Sequence, residues 1–145
     1  MLKGISGLLN GELLKQLCDM GHGDVLAIVD ANYPAVTMGK KVISYPGIKA
    51  TDLLKALVDI FPLDHIVKES ALLMDMESED KELGMSEPQI WNEFTEIIRK
   101  AYGAEKRVDK ISRKNFYEKS KEAFIIIQTG EERLYGNLIL IKGVV

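Results

Sequence analysis

Cysteine is almost missing: Cys18 stands alone among 145 residues. A single thiol makes no internal disulfide, so an oxidising compartment offers this chain nothing. Long apolar runs are missing as well, and none approaches the ~20 residues that cross a bilayer. The opening residues, Met1-Leu2-Lys3-Gly4-Ile5, lack the apolar core of a secretory signal. There is no excess of positive charge either. The formal net charge is -3, so a phosphate backbone finds no basic field to hold it. The expectation is a cytoplasmic domain that partners neither nucleic acid nor membrane. Two motifs lack a part. Gly21-x-Gly23 is half of a dinucleotide fingerprint, but here a helix closes and a strand opens, the reverse of what that fingerprint needs, and its third glycine is absent. Cys18 and His22 have the spacing of a metal pair on a helix, yet Gly21 breaks that helix and no second ligand cluster exists. No metal and no cofactor is expected.

What is present suits one globular domain over residues 1–145. Hydrophobic residues make up 46% and charged residues 28%, an ordinary balance for a chain long enough to bury a core. The stretch that organises the rest runs from Gly21 to Ala35. His22 lies between two glycines, Val25 to Val29 form an apolar run, and Asp30 opens a loop with Asn32, Tyr33 and Pro34. A short apolar run bounded in this way reads as a buried strand. Before it, Asn10 caps a helix carrying Leu13, Leu14, Leu17 and Cys18 on one face, and Gly21 takes the left-handed geometry that ends it.

Val42 to Tyr45 reads as a second strand, closed by a Pro46-Gly47 turn. Thr51 caps a helix presenting Leu53, Leu54, Leu57, Val58 and Phe61, which Pro62 stops. Ala71 to Met76 is a strand and Glu77 to Glu87 an acidic surface loop. Ser86, Pro88 and Gln89 start a helix over 88–102 with Ile90, Trp91, Phe94, Ile97, Ile98 and Ala101 on its apolar face, and Gly103 ends it. Arg107-Val108-Asp109 is a weak strand, and Ser112 caps a helix through Ala123. Phe124 to Gln128 and Leu138 to Ile141 are strands, separated by a turn at Thr129-Gly130-Glu131. Helices alternate with strands, so the fold class is α/β, a sheet flanked by helices.

Several side chains are placed for chemistry. His22 either caps the preceding helix end or works as a general acid–base, since an imidazole titrates near the working pH and flanking glycines admit a substrate. Asp30 either caps a turn through Asn32 or binds a ligand at the strand's carboxyl end. Tyr33 packs in the core or offers its ring to the C–H face of a sugar. Arg113 is a cation at a helix start, unfavourable against the dipole, which hints at another use. Tyr135 and Asn137 flank Gly136, which suits backbone passing close to something. His65 is a loop histidine.

Gly21-His22-Gly23-Asp24, Asp30-Ala31-Asn32-Tyr33-Pro34-Ala35, Phe116-Tyr117-Glu118 and Tyr135-Gly136-Asn137, after an opening Met1-Leu2-Lys3-Gly4-Ile5-Ser6, resemble the ribose pyranase/fucose mutarotase family over nearly the whole chain. Gly23, Asn32 and Gly136 are similar to its fucose branch rather than its ribose branch. The resemblance implies a ring-shaped homo-oligomer, a decamer, with a monosaccharide site at subunit boundaries and L-fucose as substrate. It implies His22 as general acid, with Asp30, Arg113, Tyr135, Gly136 and Asn137 contacting the sugar. On this reading His22 handles one proton, and Tyr135, or a water it holds, handles the other. Asp30 either fixes His22 or binds sugar hydroxyls. The rival readings are D-ribose pyran–furan isomerisation and sugar binding without catalysis.

Overall fold

The computed structural model describes residues 2–145, so Met1 of the opening motif lies outside the described residues. Six strands form one sheet: β1 (Val25–Val29), β2 (Val42–Tyr45), β3 (Ala71–Met74), β4 (Asp109–Ile111), β5 (Ile125–Thr129) and β6 (Leu138–Ile141). Their order across the sheet is β2-β5-β1-β6-β3-β4. β6 runs antiparallel to both β1 and β3, and the other pairs are parallel. A strand covered on both faces must be apolar at every position, not at alternate ones. Hence the unbroken runs: Leu26, Ala27, Ile28 and Val29 are all fully buried.

The helices are α1 (Gly11–Asp19), α2 (Ala35–Met38), α3 (Ala50–Val58), α4 (Ser78–Glu82), α5 (Gln89–Tyr102) and α6 (Arg113–Glu122). α3 packs on α5 and on β1, while α6 lies over β1 and β3 and touches α2, which rests on β5. The α5 stripe buries Ile90, Trp91, Phe94 and Ile98; Ile97 is partly buried and Ala101 is exposed. Among the described residues no helix is long and apolar enough to cross a membrane.

Three of the expected helix ends hold. Asn10 Oδ1 accepts the Leu13 N–H at 2.9 Å, Ser112 Oγ accepts the Asn115 N–H at 3.2 Å, and Gly103 closes α5 at φ 112. Four others differ. α3 ends at Val58, before Phe61 and Pro62 are reached. Thr51 is buried inside the first turn of α3, because the Lys49 carbonyl takes the first helical bonds two residues earlier. Pro88, not Ser86, stands at the start of α5, and its carbonyl accepts the Trp91 N–H. α1 ends at Met20 in extended backbone, and Gly21 does not turn left-handed; Gly23 does, at φ 85.

Strand limits also shift. β3 stops at Met74, β4 lies two residues later than Arg107, and β5 runs one residue later, so Thr129 is a strand residue whose hydroxyl donates to the Val29 carbonyl at 2.8 Å. Pairing with a neighbour sets these limits, and local composition does not carry it. The acidic stretch holds the short helix α4, and the loop after Asp30 contains α2.

Strand direction sorts the polar loops onto two rims. Ile28 pairs with Leu138, Leu73 also pairs with Leu138, and Met74 pairs with Ile111. The ends of β1, β3 and β4 and the start of β6 therefore meet at one rim. Asp30 follows β1, Arg113 follows β4, and Asn137 precedes β6, so all three arrive there. His22 precedes β1 and lies at the opposite rim.

Candidate functional site

The carboxyl rim of β1 holds a cavity of about 300 Å³. Asp30, Arg113, Tyr135 and Asn137 all line it, together with Asn32 and Tyr33. Topology has thus collected four of the residues singled out in the sequence, from positions 107 residues apart in the widest case, Asp30 to Asn137.

Asp30 and Asn137 hold each other across the β1–β6 pair. The Asn137 amide donates to Asp30 Oδ2 at 2.7 Å, and the Asp30 N–H donates to Asn137 Oδ1 at 3.0 Å. The Asn32 N–H adds a bond to Asp30 Oδ1 at 3.0 Å. Asp30 therefore closes the turn through Asn32, and the same carboxyl group lines the cavity. Burial pushes its carboxyl above the ordinary aspartate range, opposed first by the Asn137 amide and then by the N–H groups of Asn32, Tyr33 and Gly136. Desolvation outweighs the hydrogen bonds because a charge loses more on leaving water than these donors return.

Tyr135 has left-handed backbone, φ 60, which is uncommon for a residue with a side chain. Its surroundings enforce the geometry. The Trp91 indole N–H donates to the Tyr135 carbonyl at 3.1 Å, and the two rings meet edge to face at 6.3 Å. The close passage expected at Gly136 is present. A Cβ there would stand 2.9 Å from Glu131 Cγ and 3.3 Å from both the Arg133 carbonyl oxygen and Ile90 Cδ1. Glu131 is itself clamped by Arg133, whose Nε and Nη2 reach its two oxygens at 2.8 and 3.0 Å. Gly136→Ala should therefore cost about 1–2 kcal/mol by overpacking, read as a lower urea midpoint with an unchanged slope.

Arg113 begins α6 and lines the same cavity, exposed, with its guanidinium donating to the Tyr117 hydroxyl at 3.2 and 3.3 Å. Tyr33 stands edge to face with Tyr117 at 5.1 Å and with Phe116 at 5.8 Å, and its hydroxyl bonds Ser120 Oγ. Burial pushes the Tyr33 phenol up to about 12, so it stays neutral. The cavity therefore combines a carboxylate, a guanidinium, an amide and phenols with aromatic and aliphatic walls. Such a mixture suits a ligand with many hydroxyls and an apolar face.

His22 is elsewhere. Five strand residues, Val25–Val29, separate its rim from Asp30, about 17 Å at 3.3 Å per residue. Asp30 therefore does not fix His22 within one chain. Asp64 does: its Oδ2 lies 2.9 Å from His22 Nε2. Asp64 is buried, and its carboxyl is held below the ordinary range, first by the Ile66 N–H at 2.6 Å, with Val67 N–H and His22 adding to it. A carboxylate there fixes the ring with Nε2 towards Asp64, and among the described residues Nδ1 has no partner. Nor does His22 cap α1. Lys142 Nζ does so from β6's end, donating to the Leu17 and Met20 carbonyls at 2.7 and 2.6 Å. The imidazole side chain remains 46% exposed, at the edge of a largely apolar groove of about 550 Å³ that also includes Cys18 and Phe61.

Sequence reasoning missed three polar neighbours. Tyr117 follows Arg113 by four residues, helical spacing that could have paired them. Asp80, inside the acidic stretch, lines the Asp30 cavity and had no distinguishing signal. Asp64 is 42 residues from His22, and only the fold joins them. His65 lies in an exposed loop, as expected. Among the described residues no group of three or more His, Cys, Asp or Glu is gathered to hold a metal ion.

The profile of the RbsD / FucU transport protein family matches residues 3–145. The human fucose mutarotase is 43% identical over 146 residues, covering 99% of this chain and 94% of that protein. The crystal structure of the Streptococcus pneumoniae fucose mutarotase in complex with L-fucose superposes with TM-score 0.91 at 38% identity, covering 99% of both chains. Bacillus subtilis RbsD complexed with D-ribose superposes with TM-score 0.71 at 27% identity, covering 100% of this chain and 99% of that one.

Proposed function

Because the chain belongs to the RbsD / FucU family, we propose that it is an L-fucose mutarotase, an isomerase that interconverts the α and β anomers of L-fucose. The observation that carries this reading is the convergence of Asp30, Arg113, Tyr135 and Asn137 on one cavity, in a fold this close to a fucose mutarotase with L-fucose bound. The higher similarity to that protein than to the ribose-bound one favours L-fucose over D-ribose.

The reaction needs two proton transfers. The ring oxygen gains a proton while the anomeric hydroxyl loses one; the ring opens, the aldehyde shows its other face, and closure reverses the transfers. His22 supplies the proton to the ring oxygen, and Tyr135 serves the anomeric hydroxyl. Asp30, Arg113, Gly136 and Asn137 contact the sugar, as does Tyr135 itself. Since His22 and Tyr135 lie on opposite rims of one chain, the working site takes His22 from one copy and Tyr135 from a neighbour. That arrangement makes the protein a homo-oligomer, for which we propose the ring-shaped decamer and a cytoplasmic setting.

Exchange NMR tests the reading. Adding the protein to L-fucose should raise the rate of α–β magnetisation transfer above the spontaneous rate, with little effect on the pyranose–furanose exchange of D-ribose. The opposite preference would assign the ribose reaction instead. Protection of sugar resonances without faster exchange would leave only a binding protein.

A further inference from the structure

The Tyr135 hydroxyl has two partners within the chain, and both come from the acidic stretch that follows β3. It donates to Asp80 Oδ2, and it accepts the Glu77 N–H at 3.2 Å. A phenol has one proton and two lone pairs. With the proton directed to Asp80 and one lone pair occupied by Glu77, the oxygen has one lone pair left for the cavity. It can accept from a sugar hydroxyl but has nothing to donate. Asp80 lines the same cavity, and its helix, α4, buries no side chain of its own. The acidic helix is thus tied to the body of the protein at the one phenol the reaction uses. Lys81, the next residue, is engaged by Asp75 at 3.2 Å, which leaves the Asp80 carboxylate to Tyr135.

We propose that Asp80 is a positioning residue for the mutarotase reaction: by holding the Tyr135 proton it commits that phenol to removing the proton of the anomeric hydroxyl, and so leaves His22 to protonate the ring oxygen. The inference rests on the proposed function and assigns the direction of each proton within it. In ring opening, the anomeric O–H bond breaks and its proton passes to the Tyr135 oxygen. The phenol's own proton moves to the Asp80 carboxylate, the C1–O5 bond breaks, and protonated His22 gives its proton to O5. The products are the open aldehyde, neutral His22, neutral Tyr135 and protonated Asp80, so charge and protons balance. Closure on the other face of the aldehyde returns each proton along the same path. Removal of the anomeric proton and donation to the ring oxygen then need no exchange with bulk water between opening and closure.

Asp80→Asn keeps an oxygen that can accept the phenol's hydrogen bond but cannot take its proton, and α4 is peripheral enough to tolerate it. Asp80→Glu keeps the carboxylate. Rates are read by L-fucose exchange NMR against sugar concentration, and the Trp91 indole N–H resonance, which reports the Tyr135 carbonyl, is followed in each variant. Asp80→Asn should lower kcat by roughly 10–100-fold with KM changed less than about two-fold, less than the 10²–10⁴-fold of a whole acid–base group because the Tyr135 phenol itself remains. Asp80→Glu should recover most of that loss. In a Tyr135→Phe background, Asp80→Asn should cost nothing further, because the two act as one unit. A wild-type kcat in Asp80→Asn, or an equal loss with and without the Tyr135 hydroxyl, overturns the assignment while the mutarotase reading stands. A wild-type protein that does not accelerate exchange overturns both.

Discussion

His22→Ala is expected to return L-fucose anomer exchange to its spontaneous rate. General acid–base groups contribute about 10²–10⁴-fold, and without the imidazole the ring oxygen has no donor at that position. The fold should be little affected. The side chain is 46% exposed, and Asp64, the group left behind, keeps the Ile66 and Val67 N–H bonds at 2.6 and 3.3 Å. Loss of activity should therefore occur without loss of stability, measured by exchange NMR beside urea unfolding. A companion experiment separates a shared site from one contained in a single chain. His22→Ala and Tyr135→Phe chains, each defective alone, are co-expressed and assembled together. If each site draws on two copies, random mixing restores ~one quarter of the sites. If His22 and Tyr135 of the same chain had to cooperate, every chain would carry a defect and nothing would return.

The second large effect is expected from Asn137→Ala. This substitution removes the amide that donates to Asp30 Oδ2 at 2.7 Å and the oxygen that accepts the Asp30 N–H at 3.0 Å. A carboxylate that is only 6% exposed is left with its desolvation and without its foremost compensation. A loss of about 3 kcal/mol follows from leaving such a group under-satisfied. The loss depends on pH with a definite sign. The Asp30 carboxyl of the folded wild type already lies above its unfolded value. Between those two values the folded chain binds the proton that the unfolded chain has released, so stability falls as pH rises. Asn137→Ala raises the folded value further and widens that window. The deficit relative to wild type should be smallest below the ordinary aspartate range and full above the raised value. Urea unfolding across acid to neutral pH reads the deficit, and the Asp30 carboxyl ¹³C shift follows the titration. A deficit that grew on acidification would reverse the argument. Sugar binding should fall in the same variant, since the amide and the carboxylate face the cavity together.

The elements themselves were legible because burial on both faces leaves an unmistakable trace. Val25–Val29 and Leu138–Ile141 are apolar at each position, and the α5 stripe repeats at helical spacing. Caps were legible where a side chain does the capping, at Asn10 and Ser112. They were not legible at Thr51 and Ser86, where backbone carbonyls two residues away from the expected cap take the helical bonds. Strand limits at β3, β4 and β5 moved because a neighbour's hydrogen bonds decide where a strand stops.

Local sequence was enough to say which side chains stand beside each strand end: His22 before β1, Asp30 after it, Arg113 after β4, and Asn137 before β6. Short-range periodicity and flanking residues encode that, since they act within a few positions of the chain. Which of these share a cavity depends on the folded sheet. Antiparallel β6 turns Asn137 back onto Asp30, parallel β4 delivers Arg113 to the same rim, and the length of β1 keeps His22 away from all of them. Strand direction is a property of pairing between distant segments, and so is the meeting of Asp80 with Tyr135 or Asp64 with His22. No local pattern of residues records it.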